Sequence, residues 1–252
     1  MSLDLTPAPG AAPVTQRVVR HGLTEARLLV RNGEQLMLAL VIPLAILIGG
    51  RFVGGRFGDP NALAPSVLGL AVWSSAFTSV AIATGFERRY GVLERLATTP
   101  LGRSGLLAGK ALAVVLVVLG QLVVLSAAAL VLGWRPAFTP GSALDTVGLV
   151  VLGIAVFALL ALALAGRLRA EVTLGLANLI YLVFLAGGAL VVPLGRYPEL
   201  IRPVLGLLPT AALGEGLRAA AVGNALGWPF LVLIVWLAAA GLVVGKSFRW
   251  TS

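Results

Sequence analysis

The 252-residue sequence contains no cysteine. That excludes disulfide frameworks, thiolate zinc sites, iron–sulfur clusters and cysteine nucleophiles together. Charge is scarce too: 12% of residues are Asp, Glu, Lys or Arg, against about 25% in an ordinary soluble domain. The single histidine, His21, lies outside every apolar run and reads as a surface residue; one imidazole cannot build a haem ligand pair, an H-E-x-x-H zinc motif or a Ser-His protease. No G-x-x-x-x-G-K-[ST] phosphate loop occurs, so this chain does not grip ATP in the usual way. The long uncharged runs also lack central acids and bases. Ion-driven carriers place carboxylates there to bind and release the driving ion, so that class is disfavoured.

What the sequence has in abundance is apolar mass. Hydrophobic residues make up 59% of it, mean hydropathy is +1.00, and there are 31 glycines. One core cannot hide so much apolar surface behind a water-facing shell, so a soluble globule is excluded and lipid is the main solvent. The formal charge of +9 would suggest nucleic acid in a soluble chain. Here the charges sit between apolar runs, so they read as membrane orientation and no nucleic-acid partner is expected. Only two of the nineteen basic residues are lysine, a composition that resembles that of GC-rich bacterial genes.

Residues 1–34 are expected to form a cytoplasmic tail and an interfacial helix, and residues 35–252 a single transmembrane domain. The first 15 residues carry three prolines, no basic residue and no apolar h-region, so they read as a flexible tail and not as a signal peptide. From Val14 to Glu34, arginines alternate with an apolar stripe, the pattern of a helix at headgroup level, with a plain solvated helix as the other option. Uncharged stretches then predict six spans at about 35–53, 61–86, 106–133, 145–166, 172–194 and 225–245. The first is marginal in length and contains Pro43, since about 20 apolar residues are needed to cross the hydrocarbon.

Six spans put both termini on one side. That side collects thirteen of the nineteen basic residues, including Arg17, Arg20, Arg27, Arg31, Arg88, Arg89, Arg95, Arg103 and Lys110, so both termini are expected in the cytoplasm. Before the last span, residues 195–223 hold two short apolar pieces divided by Pro209. They predict a helical hairpin, either re-entrant and buried by protein or lying on the outer face. Gln121 and Asn178, the main polar residues at depth, read as interhelical hydrogen-bonding groups.

The most informative stretch is Phe86–Arg103, FERRYGVLERLATTPLGR. On a helical wheel Glu87, Arg88, Gly91, Glu94, Arg95 and Thr98 share one arc, while Phe86, Tyr90, Val92, Leu93, Leu96 and Ala97 fill the other, Arg89 being the exception. Pro100 stops the helix, which predicts an amphipathic rod of about three turns.

The run Glu87-Arg88-Arg89-x-Gly91-x-Leu93-Glu94-x-Leu96-x-Thr98-Thr99-Pro100-Leu101, followed by Gly109-Lys110, resembles the cytoplasmic coupling helix of the membrane subunits of type 2 ABC exporters, bacterial permeases for drugs, lipids and polysaccharides. Softer likenesses are Arg31-Asn32 with Pro43, and Leu208-Pro209-Thr210 with Glu215-Gly216-Leu217-Arg218, although Leu208 stands where that family often has Asn. The resemblance implies an all-α integral membrane fold with six transmembrane helices, an N-terminal interfacial helix, the coupling helix and the outer hairpin containing Pro209, Glu215 and Arg218.

It implies a bacterial plasma-membrane permease subunit that is not itself an enzyme. An amphiphilic drug, lipid or glycan would be moved by a separate nucleotide-binding ATPase subunit, which would hold ATP and Mg, while this chain would bind no cofactor or metal. A second permease copy, or a homologous permease, and membrane lipid complete the implied partners. Residues 86–100, with Glu87, Arg88, Arg89, Tyr90, Gly91, Leu93, Glu94, Arg95, Leu96, Thr98 and Pro100, would engage the ATPase, and Glu87, Arg88, Glu94 and Arg95 would be its exposed contacts. The other reading is a non-transporting anchor or assembly factor that recruits a cytoplasmic ATPase.

Overall fold

In the computed structural model, residues 10, 12–33, 37–53, 59–137 and 139–247 are described. Most of the expected flexible tail, Glu34 and Gln35, Arg56 and Arg249 lie outside the described residues. Among those described, every regular element is helical, as all-α membrane proteins require when lipid offers backbone groups no partners.

Helix α1, Val14–Arg31, starts after Pro13 and stops at Asn32, whose extended backbone ends the helical run. It presents three faces. Gly22 is buried against helix α5, Gly102–Val131; Val19, Leu23 and Val30 form an exposed apolar stripe; Arg20, Arg27 and Arg31 are exposed beside it. The packed face depends on absent side chains. A Cβ on Gly22 would come within 2.8 Å of Leu112 Cδ2, and one on Gly109 would overlap the His21 ring.

A π turn, Met37–Val41, leads directly into α2, Ile42–Val53. Pro43 supplies a cause, since it has no N–H to give to residue 39 and its ring crowds that carbonyl, so the ladder widens just before it. The apolar stretch Ala39–Gly50, which covers part of the π turn and of α2, is shorter than the five helices of spanning length among the described residues: α3, Pro60–Arg89; α5; α6, Pro140–Ala165; α7, Ala170–Gly187; and α10, Gly227–Ser247. Helix α7 ends at Gly187, short of residue 194, because Ala189 adopts a left-handed backbone and Pro193 follows.

Helix α3 is the hub. Asp59 caps it, Pro60 begins it, and its residues from Leu63 to Ala81 are buried, while α5, α7 and α10 keep most of their surface outward. Small residues at Ser66, Gly69, Ser74, Ser75 and Ala76 let neighbours approach closely; Leu190 packs over Gly69, and Gly85 lies against Thr173. Midway, α3 relaxes into a π turn, Ser74–Ser79. There Ser75 Oγ donates to Gln121 Oε1 of α5 at 2.7 Å, and Trp73 stacks on Phe77 with Phe157 and Phe184 beside it. Asn178 of α7 is half-buried.

Connections gather at two ends of the bundle. One end ties α3 to α5 through Glu87 and Lys110, and α3 to the α6–α7 turn through Arg88. The other ties Asn61 to Arg135, and Ala137 to Ala221. At that second end, α8, Arg202–Gly206, has no buried residue, whereas α9, Pro209–Ala221, is buried between α3, α6 and α10.

Gly22→Val should overpack the α1–α5 seam by about 1–3 kcal/mol. Its melting midpoint in detergent should fall by several degrees, whereas Gly175→Val, where a Cβ meets open space, should leave the midpoint unchanged.

Candidate functional site

The charged connection between α3 and α5 begins inside α3, which stays helical through Arg89. Gly91 then takes φ +66, a left-handed conformation that glycine adopts without a Cβ penalty, and α4, Val92–Ala97, follows. The expected rod of three turns is therefore a bent element. The last turn of α3 and a six-residue helix meet at Gly91, because the positive φ resets the helical phase that a wheel drawn over 86–100 assumes continuous.

Local hydrogen bonds hold this bend. Arg95 donates from Nη2 to Tyr90 O at 2.6 Å and from Nε to Gly91 O at 3.3 Å. Thr98 and Thr99 hydroxyls donate to Arg95 O and Leu96 O, closing the C-terminal turn ahead of Pro100. Leu93 is 1% exposed and pins α4 to the body, while Tyr90 is 60% exposed. Arg89, Tyr90, Glu94, Arg95, Thr98, Thr99 and Pro100 thus form an outward patch, with Leu96 half-buried at its edge. Arg89 lies over the Tyr90 ring and pairs with Glu171 of α7.

Glu87 and Arg88 are not exposed contacts. Because α3 continues as a helix through them, both point back into the bundle. Arg88 is 8% exposed and donates to Ala165 O at 2.7 Å and Leu168 O at 2.5 Å. These carbonyls belong to the C-terminal turn of α6 and the loop after it, where no further helical N–H arrives, so a fixed cation suits them. Glu87 accepts from Lys110 Nζ at 2.5 Å, and the same ammonium lies 3.5 Å from Glu25 of α1. His21, next to Glu25, has its pKa lowered by burial and by nearby Lys110 against the pull of Glu25, so the neutral ring packs on Gly109. Lys110 therefore joins three elements, α1, α3 and α5. Its partner Glu25 was recognisable in the sequence only as an acid within a basic helix.

At the opposite end, Pro209, Glu215 and Arg218 come together on α9. Arg218 is 9% exposed and donates to Ser66 Oγ and Leu190 O at 2.7 Å each, to Glu215 Oε1 at 2.8 Å and to Ala189 O at 3.1 Å. Glu215 also accepts from the Leu194 N–H at 2.6 Å, and Thr210 donates to Gly188 O. The irregular backbone after α7 is thereby satisfied from α9. Ser66 and Thr210 carry part of this work, and their hydroxyls gave no sequence signal.

Clefts open between the helices among the described residues. One of about 460 Å³ is walled by Trp73, Phe77, Phe184 and Trp236 and runs from Arg167 to Pro209. A second of about 570 Å³ lies between α1 and α5, and a third of about 310 Å³ lies near Trp134.

The model of a family described as ABC-2 family transporter proteins matches residues 56–245. The chain is also 28% identical over 255 residues to the probable doxorubicin resistance ABC transporter permease protein DrrC of two Mycobacterium tuberculosis strains, CDC 1551 / Oshkosh and ATCC 25618 / H37Rv. Each alignment covers 94% of this chain and 90% of the relative.

Arg88→Ala should strand two carbonyls and cost about 1–3 kcal/mol, seen as a lower melting midpoint. Arg88→Lys should recover less than half of the loss, since an ammonium cannot reproduce the guanidinium fork.

Proposed function

From the premise that this chain belongs to the ABC-2 family of transporter proteins, we propose that it is the permease subunit of an ATP-driven exporter whose ATPase docks on the patch around α4. The observation that carries this reading is the arrangement of that patch. Exposed Tyr90, Glu94, Arg95 and Thr98 stand outward on a buried Leu93. A loop needing only positive charge to face the cytoplasm would have no use for a carboxylate on its exposed side or an apolar anchor beneath it.

On this reading a separate nucleotide-binding subunit holds ATP and Mg and closes on nucleotide, pushing against α4. The push enters α3 through Gly91 and reaches the rest of the bundle by two links. Arg88 couples α3 to the α6–α7 turn, and Glu87 with Lys110 couples it to α5 and α1. A rigid element moved at one end shifts its packed neighbours as bodies, the usual way a small displacement is amplified. The ATPase-facing end lies in the cytoplasm with both termini, in accord with the thirteen-to-six division of basic residues. Pro209, Glu215 and Arg218 then sit toward the outside, and α9 is the inserted arm of a re-entrant hairpin.

The cargo is an amphiphilic organic molecule, in keeping with clefts lined by apolar and aromatic side chains and with the drug-resistance relative. A second permease, either a copy or a homologue, completes the route. The setting is a bacterial plasma membrane.

Purified with its cognate ATPase, the double variant Glu94→Ala with Arg95→Ala should weaken docking by roughly tenfold, the scale of about 1.4 kcal/mol of lost interface contact. ATP hydrolysis by the complex should fall with it. Wild-type hydrolysis in an intact complex would remove α4 as the coupling element, and an ATPase that binds but never changes its turnover would favour a non-transporting anchor.

A further inference from the structure

The cleft between α1 and α5 is lined by two arginines, where the cleft beside Trp73 has one, Arg167, and the cleft near Trp134 has none. Its volume is about 570 Å³ and its walls are chiefly valine and leucine; Arg27 and Arg31 of α1 line it, and among the described residues no acidic one does. Among the described residues neither guanidinium has an ion-pair or hydrogen-bond partner. Further along α5 the cleft meets Gln121, which is 5% exposed. Ser75 occupies its Oε1, and its Nε2 has no acceptor. Gly120 adds room, since a Cβ there would meet nothing within 4 Å.

Two cationic groups, an apolar trough and an amide donor without an acceptor form the negative image of one class of molecule. We propose that this cleft holds one anionic glycerophospholipid, its phosphate between Arg27 and Arg31, its acyl chains along α5, and an ester carbonyl within reach of the Gln121 amide. Guanidinium groups suit phosphate because their fork can donate two parallel hydrogen bonds. Basic pockets between helices at the cytoplasmic leaflet are places where such headgroups collect. The exposed Val19, Leu23 and Val30 stripe of α1 faces the same leaflet on this reading, so the lipid would sit as mortar between α1 and the spans. The inference is independent of what the exporter carries.

Native mass spectrometry of the purified full-length chain, titrated with phosphatidylglycerol and with phosphatidylcholine of equal chain length, tests it. Wild-type protein should bind one phosphatidylglycerol with a preference of roughly ten- to thirtyfold, the scale of two arginine contacts. Arg27→Ala with Arg31→Ala should erase the preference, and Arg27→Lys with Arg31→Lys should keep most of it. Gly120→Leu, which retains both arginines and extends into open space, should weaken both lipids about tenfold by filling the trough. Millimolar inorganic phosphate should not displace the lipid. An unaltered preference in the double alanine variant, undiminished binding in folded Gly120→Leu, or displacement by phosphate alone would overturn the proposal.

Discussion

Inside a bilayer a carbonyl released from a helix has no water to turn to, and this bundle answers that constraint with two buried arginines, one at each end. Arg88 reaches two carbonyls of the α6–α7 turn, and Arg218 reaches two carbonyls beyond the end of α7 as well as Ser66 of α3. A buried guanidinium is expensive unless every face is occupied. Here the contacts made by the terminal nitrogens of both guanidinium groups also satisfy backbone that would otherwise be stranded, while Arg218 Nε has no acceptor. Irregular segments can therefore exist at the two ends of α7 without opening the bundle to lipid.

Both arginines engage α3, and that is why α3 is the hub. Its small residues bring α5, α6, α7 and α9 within reach, and its π turn accommodates Ser75, Gln121 and the Trp73 aromatic cluster at mid-length. The α8–α9 segment is fastened to α3 through Arg218, and the α6–α7 turn is fastened to it through Arg88. A displacement of α3 along its axis would therefore be felt at both ends of the bundle. Lys110 adds α1 to this assembly by sharing its ammonium between Glu25 and Glu87.

Much of this was readable from residues alone. Apolar length is a one-dimensional property, so α3, α5, α6, α7 and α10 appear in the sequence as uncharged runs set between charged residues. The outward Glu94 and Arg95 were recognisable from their spacing, whereas Tyr90, which the wheel places on the apolar arc, is 60% exposed. The inward turn of Glu87 and Arg88 was not recognisable, because a wheel assumes one unbroken helix and Gly91 breaks it; the glycine was visible, its positive φ was not. Glu215 and Arg218 were identified together through their family likeness, but their meaning depends on Ser66, 152 positions away, and no local pattern encodes such a meeting. Pro43 announced a disturbance in the first apolar stretch without saying that the ladder would widen to a π turn.

Gly91 and Gly102 bracket α4, both at φ +66, and an added Cβ at either would meet open space. Between them Leu93 alone of the α4 residues is fully seated in the body. The segment is thus set between two left-handed breaks with one seated side chain, so its helical phase is independent of the spans on either side. On the proposed reading, a docking subunit would therefore bear on an outward face that belongs to α4 itself and continues neither α3 nor α5.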